Sequence, residues 1–209
     1  MSTDAAGRLS ALGAALGAAP GAGAGADADA GAGRGWALEV LDPEAMHSFG
    51  RAVGELLRAG DVVLLTGDLG AGKTTFTRGL GEGMAVRGPV TSPTFVLART
   101  HPSLSGGPAL VHVDAYRLGS ALELDDLDID FAHSVVVVEW GAGLLEALTD
   151  SYLSIEIDRP HGAGEDSGGT GTGTGNGADI SADDGAETEV EEPIEPRQVR
   201  IDGVGPRWN

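Results

Sequence analysis

Cysteine is absent from this 209-residue chain, which excludes disulfides and thiolate zinc sites. Lysine occurs once, as Lys73, and every other basic residue outside the histidines is arginine. Aromatic residues make up only 4% of the chain, and none falls in residues 1–35 or 161–196. Those two segments are rich in Ala, Gly, Asp, Glu, Ser and Thr. They hold too little large apolar surface to offset the entropy of ordering, so both are expected to be disordered. The remaining residues, 36–160 and 197–209, are enough for one domain with a real core.

Positive charge is equally scarce. The formal net charge is −19, and it is spread unevenly. Residues 161–196 contain ten acids and no lysine or arginine, and residues 36–160 contain 18 acids against 8 basic residues. A body this acidic lacks the basic patch that direct nucleic-acid binding requires, which leaves action through a partner open. Long apolar runs are missing as well. The first residues offer only Arg8 before a weak Ala/Gly/Leu run, neither a signal peptide nor a spanning helix. The expectation is a soluble, cytoplasmic protein with no membrane partner.

What is present alternates between strand and helix patterns. Trp36–Leu41 reads as a strand. Asp42-Pro43-Glu44 is a helix start, with Met46, Phe49, Val53, Leu56 and Leu57 at helical spacing and Gly60 as the stop. Asp61–Thr66 is a continuous apolar strand of the kind buried on both faces. A helix is predicted from Lys73 to Met84, and strands over Thr94–Arg99, Ala109–Asp114 and Val135–Val138. A short helix is predicted over Gly141–Leu148. Tyr152–Asp158 and Gln198–Asp202 alternate as an antiparallel pair, which makes 161–196 an enlarged hairpin loop. The fold class is α/β, a mostly parallel sheet with antiparallel edge strands and helices on both faces.

The single lysine lies in GDLGAGKTT, which fits the phosphate-binding pattern G-x-x-x-x-G-K-[ST]. Glycine is so common here that the glycines alone mean little. Their position, after an apolar strand and at the start of a helix, carries more weight. Gly67, Asp68, Leu69, Gly70, Ala71, Gly72, Lys73, Thr74 and Thr75 are the expected nucleotide contacts. The glycines let backbone N–H groups wrap round phosphate oxygens, Lys73 reaches the β- and γ-phosphates, and Thr74 offers a hydroxyl to Mg²⁺. A compact ammonium on a thin stem fits such a loop where a forked guanidinium is bulky.

Three further stretches end in groups able to serve that site. Glu139 closes VVVVE at the carboxyl end of a strand, where doubly wound sheets bind ligands. It can hold Mg²⁺ or polarise a water, or it can cap the helix beginning at Gly141. Trp140 can flank the nucleotide or a partner, or pack in the core. Asp114, at the end of HVD, can organise a metal-bound water or the nucleophile, or cap its loop. Thr94, in SPTF, is either a switch-like residue near the γ-phosphate or the start of a strand. His101, His112 and His133 lack metal-ligand spacing, so no zinc site is expected.

Taken in order, GDLGAGKTTFTRGLGEGM, VTSPTFVL, HVDAYRL, the acidic Glu123–Leu127 segment and VVVVEW resemble the bacterial TsaE (YjeE) family. The resemblance covers roughly Trp36–Arg159 and the last strand. It implies a single P-loop domain that binds ATP and Mg²⁺ and hydrolyses ATP slowly alone and faster with partners. It also implies a role in forming the threonylcarbamoyl group on adenosine 37 of tRNAs that read codons beginning with A. The implied partners are TsaD and TsaB, which carry out the transfer, so that tRNA is reached only through the complex and ATP hydrolysis resets that complex between turnovers. By motif, Thr74 and Glu139 would serve the metal, and Asp114, Glu139 and Thr94 the hydrolytic chemistry. Tyr116, Arg117 and Trp140 would lie near the nucleotide or the partner surface. The chain departs from the family in its N-terminal 35 residues, in the 161–196 insertion, and in Gly-Ala-Gly after Trp140, where a proline and another acid are common.

Competing classes fare less well. A regulatory GTPase would need Asn-Lys-x-Asp and therefore a second lysine. A small-molecule P-loop kinase, the main alternative, usually carries an arginine-bearing lid, and Arg87 and Arg99 stand isolated. A nucleotide-gated scaffold is the non-enzymatic reading.

Overall fold

The computed structural model describes residues 35–159 and 195–208, together with residues 7, 10, 11, 13, 14 and 19–21. The disorder expected for most of 1–35 and 161–196 therefore falls outside the described residues. Ala19–Gly21 forms a short strand, β1, antiparallel to β2 (Gly35–Val40). The composition of that segment gives no sign of it.

Helix α1 (Pro43–Leu56) starts where capping chemistry predicts. The Asp42 carboxylate accepts the Ala45 N–H at 2.7 Å, and proline occupies the first turn. Strand β3 (Val62–Thr66) then leads into the glycine loop and helix α2 (Lys73–Gly83). Next come β4 (Ala98–His101), β5 (Ala109–Asp114), the short helix α3 (Ala121–Asp125) and β6 (Ser134–Glu139). Strands β7 (Tyr152–Asp158) and β8 (Arg197–Val204) complete the fold as the expected antiparallel pair.

The eight strands form one sheet in the order β1-β2-β8-β7-β3-β6-β5-β4. Its centre, β7-β3-β6-β5, is parallel, and both flanks are antiparallel. Each face buries its own core. Val63, Leu65, Val135 and Val137 pack under α1 and α2, whereas Val62, Leu64, Val136 and Val138 face α3 and Leu145. This two-faced burial is why the central strands are nearly all apolar.

Helices α1 and α2 lie unusually close. A Cβ added at Gly50 or Gly54 would come within 2.1 or 2.2 Å of the carbonyl oxygens of Phe76 and Leu80 on α2. One added at Gly79 or Gly83 would meet those of His47 and Arg51 on α1 at 2.0 or 2.2 Å. Glycines four apart on both helices thus bring the two backbones into contact, which seats α2 and the loop that opens it.

Two expected elements differ. The strand predicted from Thr94 begins only at Ala98, because Val96 and Leu97 both donate backbone N–H bonds to the Pro93 carbonyl and close a turn over 94–96. The helix predicted over Gly141–Leu148 is reduced to one 3₁₀ turn, Leu145–Ala147, after Gly143 takes a φ of 82° that no right-handed helix accommodates. Among the described residues no helix is long and apolar enough to cross a membrane.

Candidate nucleotide site

Three strands deliver the site to one edge. In the sheet register Leu65 pairs with Glu139 and Glu139 with Asp114, so the carboxyl ends of β3, β6 and β5 form a row. The glycine loop springs from β3 directly beside it. Gly67 must be glycine, since its φ is 145° and a Cβ would lie 2.4 Å from the Ile157 carbonyl oxygen. Gly72, at φ 112°, turns the chain into α2 with no side-chain cap. The first intrahelical bond runs from Phe76 N–H to the Gly72 carbonyl, so the N–H groups of Lys73, Thr74 and Thr75 stay outside the helical ladder at its positive end.

Leu69, Gly70, Gly72, Lys73, Thr74 and Thr75 line a cavity of about 550 Å³, well inside the range of small-molecule sites. Thr94, Asp114 and Glu139 line the same cavity, together with Ser92, Tyr116 and Trp140. Gly67 and Asp68 face a neighbouring cavity of about 300 Å³ on the β7 side, and Trp140 borders both. Ala71 is buried and lines neither.

Lys73 is almost wholly buried, at 6% exposure. Its ammonium donates to the carbonyls of Gly67 at 2.6 Å and Asp68 at 2.9 Å, and lies 4.1 Å from the centre of the Trp140 ring. Burial pulls its pKa below the usual lysine value, while Glu139, Asp114 and Asp68 oppose the shift. Trp140 reaches this position through a φ of 60°, rare for a bulky residue, and its ring meets Tyr116 edge-on at 5.4 Å. The ambiguity over Trp140 is thereby removed: it stands against the lysine, not in the core.

Asp114 holds a small hydroxyl network. Thr94 donates its hydroxyl to Oδ2 at 2.8 Å, Ser92 and Thr94 are hydrogen-bonded at 2.7 Å, and the Tyr116 N–H donates to Oδ1 at 3.1 Å. The Arg117 guanidinium donates to the Thr94 carbonyl and ties that turn to the end of β5. Asp114 thus does cap its loop, and it faces the cavity at the same time. Glu139 does not cap the 3₁₀ turn that follows it; its Oε1 lies 2.7 Å from Nε2 of the fully buried His112.

The fit for Mg²⁺ rests on donor chemistry. Thr74, Asp114 and Glu139 are hard oxygen donors on one cavity. That pattern suits a cation that keeps waters and shares one or two carboxylates with substrate phosphates.

Sequence reasoning missed Ser92 and His112. Ser92 shares SPTF's turn and could have been drawn from it. His112 lies two residues before Asp114 on an alternating strand, so both side chains had to share a face.

A strand, a glycine loop, a helix opened by lysine, and two acids on neighbouring strand ends define the P-loop NTPase fold. Within that class, the chain belongs to the TsaE family: residues 40–165 match the family described as threonylcarbamoyl adenosine biosynthesis protein TsaE. It is 58% identical over 166 residues to the tRNA threonylcarbamoyladenosine biosynthesis protein TsaE of Streptomyces coelicolor, covering 78% of this chain and 93% of that protein. The protein of that name from Bacillus subtilis is 37% identical over 129 residues, 60% of this chain and 77% of its own length. The crystal structure of Bacillus subtilis YdiB superposes with a TM-score of 0.57 at 26% identity, over 86% of this chain and 92% of that one.

Proposed function

We propose that this protein binds ATP with Mg²⁺ and hydrolyses it to ADP and phosphate. It does so as a cytoplasmic subunit of the machinery that forms threonylcarbamoyladenosine at position 37 of tRNAs reading codons that begin with A. Its partners in that reading are TsaD and TsaB, and tRNA is engaged through them. The observation that carries the proposal is the convergence of Lys73, Thr74, Asp114 and Glu139 on one cavity at the strand ends. The relatives' names supply the pathway.

In this reading the loop N–H groups and the start of α2 cradle the phosphates. Lys73 leaves its two loop carbonyls for phosphate oxygens, a favourable exchange because it pairs a buried cation with an anion. Thr74 and Glu139 would hold Mg²⁺, which when bound would neutralise charge on the substrate's phosphates. Asp114, with Thr94 bonded to one oxygen, orients a water. That water's oxygen forms the new bond to the γ-phosphorus as the bond to the bridging oxygen breaks, and its proton passes to Asp114 or the departing phosphate. The acidic body of the chain agrees with a subunit that meets tRNA only through others.

The test is phosphate release from MgATP by the purified chain, with and without TsaB, TsaD and tRNA. Slow hydrolysis alone and a higher rate in the complex are expected, together with multiple-turnover tRNA modification. Equal rates in both conditions and no gain in modification would overturn the proposal. Phosphate transfer to a metabolite instead of water would favour a kinase.

A further inference from the structure

One buried titratable side chain has no part in the reaction as described. His112 is fully buried in β5, with Nε2 at 2.7 Å from Oε1 of Glu139. Its Nδ1 is buried without a hydrogen-bond partner among the described residues. An ionised carboxylate can only accept, so Nε2 is the donor of this bond. As packing alone this is a poor choice. Val111 and Val113 on either side are buried, and an aliphatic residue would fill the position without an orphaned nitrogen.

The register gives the imidazole a use. His112 and Asp114 on β5 face the same way as Val137 and Glu139 on β6. Glu139 lines the cavity and His112 does not, so the imidazole holds the carboxylate from behind. Oε2 of Glu139 makes no hydrogen bond among the described residues. A terminal carboxylate torsion is broad and two-fold, and the bond to Oε1 removes that freedom.

We propose that His112 is a positioning residue: its Nε2–H fixes Oε1 of Glu139 and so presents Oε2 to the metal and water in the cavity. The inference rests on the ATPase reading and adds to it a residue that touches neither nucleotide nor metal.

Glutamine and asparagine separate this role from simple filling. The glutamine amide nitrogen stands as many bonds from the backbone as Nε2, whereas that of asparagine matches Nδ1. The full chain would be compared as wild type, His112→Gln, His112→Asn and His112→Leu. Measurements are kcat and KM for ATP, ADP affinity by calorimetry in Mg²⁺ and in EDTA, and thermal melting. His112→Asn and His112→Leu are expected to lower kcat about 10- to 100-fold, as loss of a partner to a metal ligand does. KM should change little, the gain in ADP affinity from Mg²⁺ should shrink, and affinity in EDTA should stay at the wild-type value. His112→Gln should keep most of the activity and of the Mg²⁺ gain. If the leucine variant does not fold, the Gln–Asn contrast decides alone. Equal kcat and equal Mg²⁺ gain in the Gln and Asn variants, with an active wild type, would overturn this inference only. A wild type that hydrolyses no ATP would overturn the ATPase reading and this inference together.

Discussion

At the amino end of β3 the fully buried Asp61 is bonded on both oxygens, whereas at the carboxyl end of the same strand Lys73 and Glu139 are held facing a cavity. Asp61 Oδ2 accepts the Arg58 N–H at 2.7 Å, and Oδ1 accepts from Arg207 Nε at 2.6 Å. The Arg207 guanidinium also donates to the Ala59 carbonyl at 2.7 Å, which anchors the end of the chain beneath the sheet. Lys73, by contrast, borrows the carbonyls of its own loop. Because burial lowers its pKa, the unfolded chain holds this proton more firmly than the folded one. Stability therefore rises with pH as it passes from the lowered native value toward the ordinary lysine value. One end uses its charges to hold the fold; the other keeps a buried cation, Lys73, that a bound phosphate would pair with.

Glu139→Gln should show the largest effect. Loss of the anion is expected to cut kcat by about 10²- to 10³-fold, with a melting temperature no lower than wild type. A large loss of stability with kcat per folded molecule intact would reverse the assignment of that end. Asp61→Ala should do the opposite. Removing the acceptor of two charge-assisted bonds is expected to cost about 3 kcal/mol in denaturant unfolding, while ATP affinity of the folded fraction stays unchanged.

Thr94→Val is a smaller test at the functional end. It removes the hydroxyl bonded to Asp114, and kcat should fall about tenfold with stability changed by about 1 kcal/mol or less. The smallest effect concerns Asp202 on β8, whose pKa is raised mainly by burial, with Glu156 adding to the shift and Arg200 opposing it. The folded chain binds this proton more firmly than the unfolded chain. Its stabilising contribution is therefore complete below the ordinary carboxylate pKa and is lost as pH rises through the raised one. Asp202→Asn should melt slightly higher than wild type at neutral pH, and the gain should vanish in acid. A gain that persists in acid would remove the titration of Asp202 as its cause.

The parts of this site legible in the sequence are those where one residue type has one use. Lys73 in a glycine loop after an apolar strand could be placed without coordinates, as could Asp114 and Glu139 at strand ends. What stayed hidden depends on neighbours distant in sequence. Gly79 and Gly83 weaken a helix by propensity, and only the backbone of α1 explains them. Phe95 and Val96 favour strands, which leaves Thr94 readable as a strand start as well as a switch-like residue. The turn closed on Pro93 prevails instead, and it places the Thr94 hydroxyl on Asp114. His112 lacks metal-ligand spacing, and its contact with Glu139 is made between strands far apart in sequence.

The proposed phosphate site is the cavity at the carboxyl edge, built round the chain's only lysine. Calorimetry of ATP binding to wild type and Lys73→Arg, with melting curves to verify the fold, tests it most directly. Wild type should bind ATP and the arginine variant, although folded, should not, because the forked guanidinium cannot occupy the loop beneath Trp140. Normal ATP binding by a folded Lys73→Arg variant would contradict it.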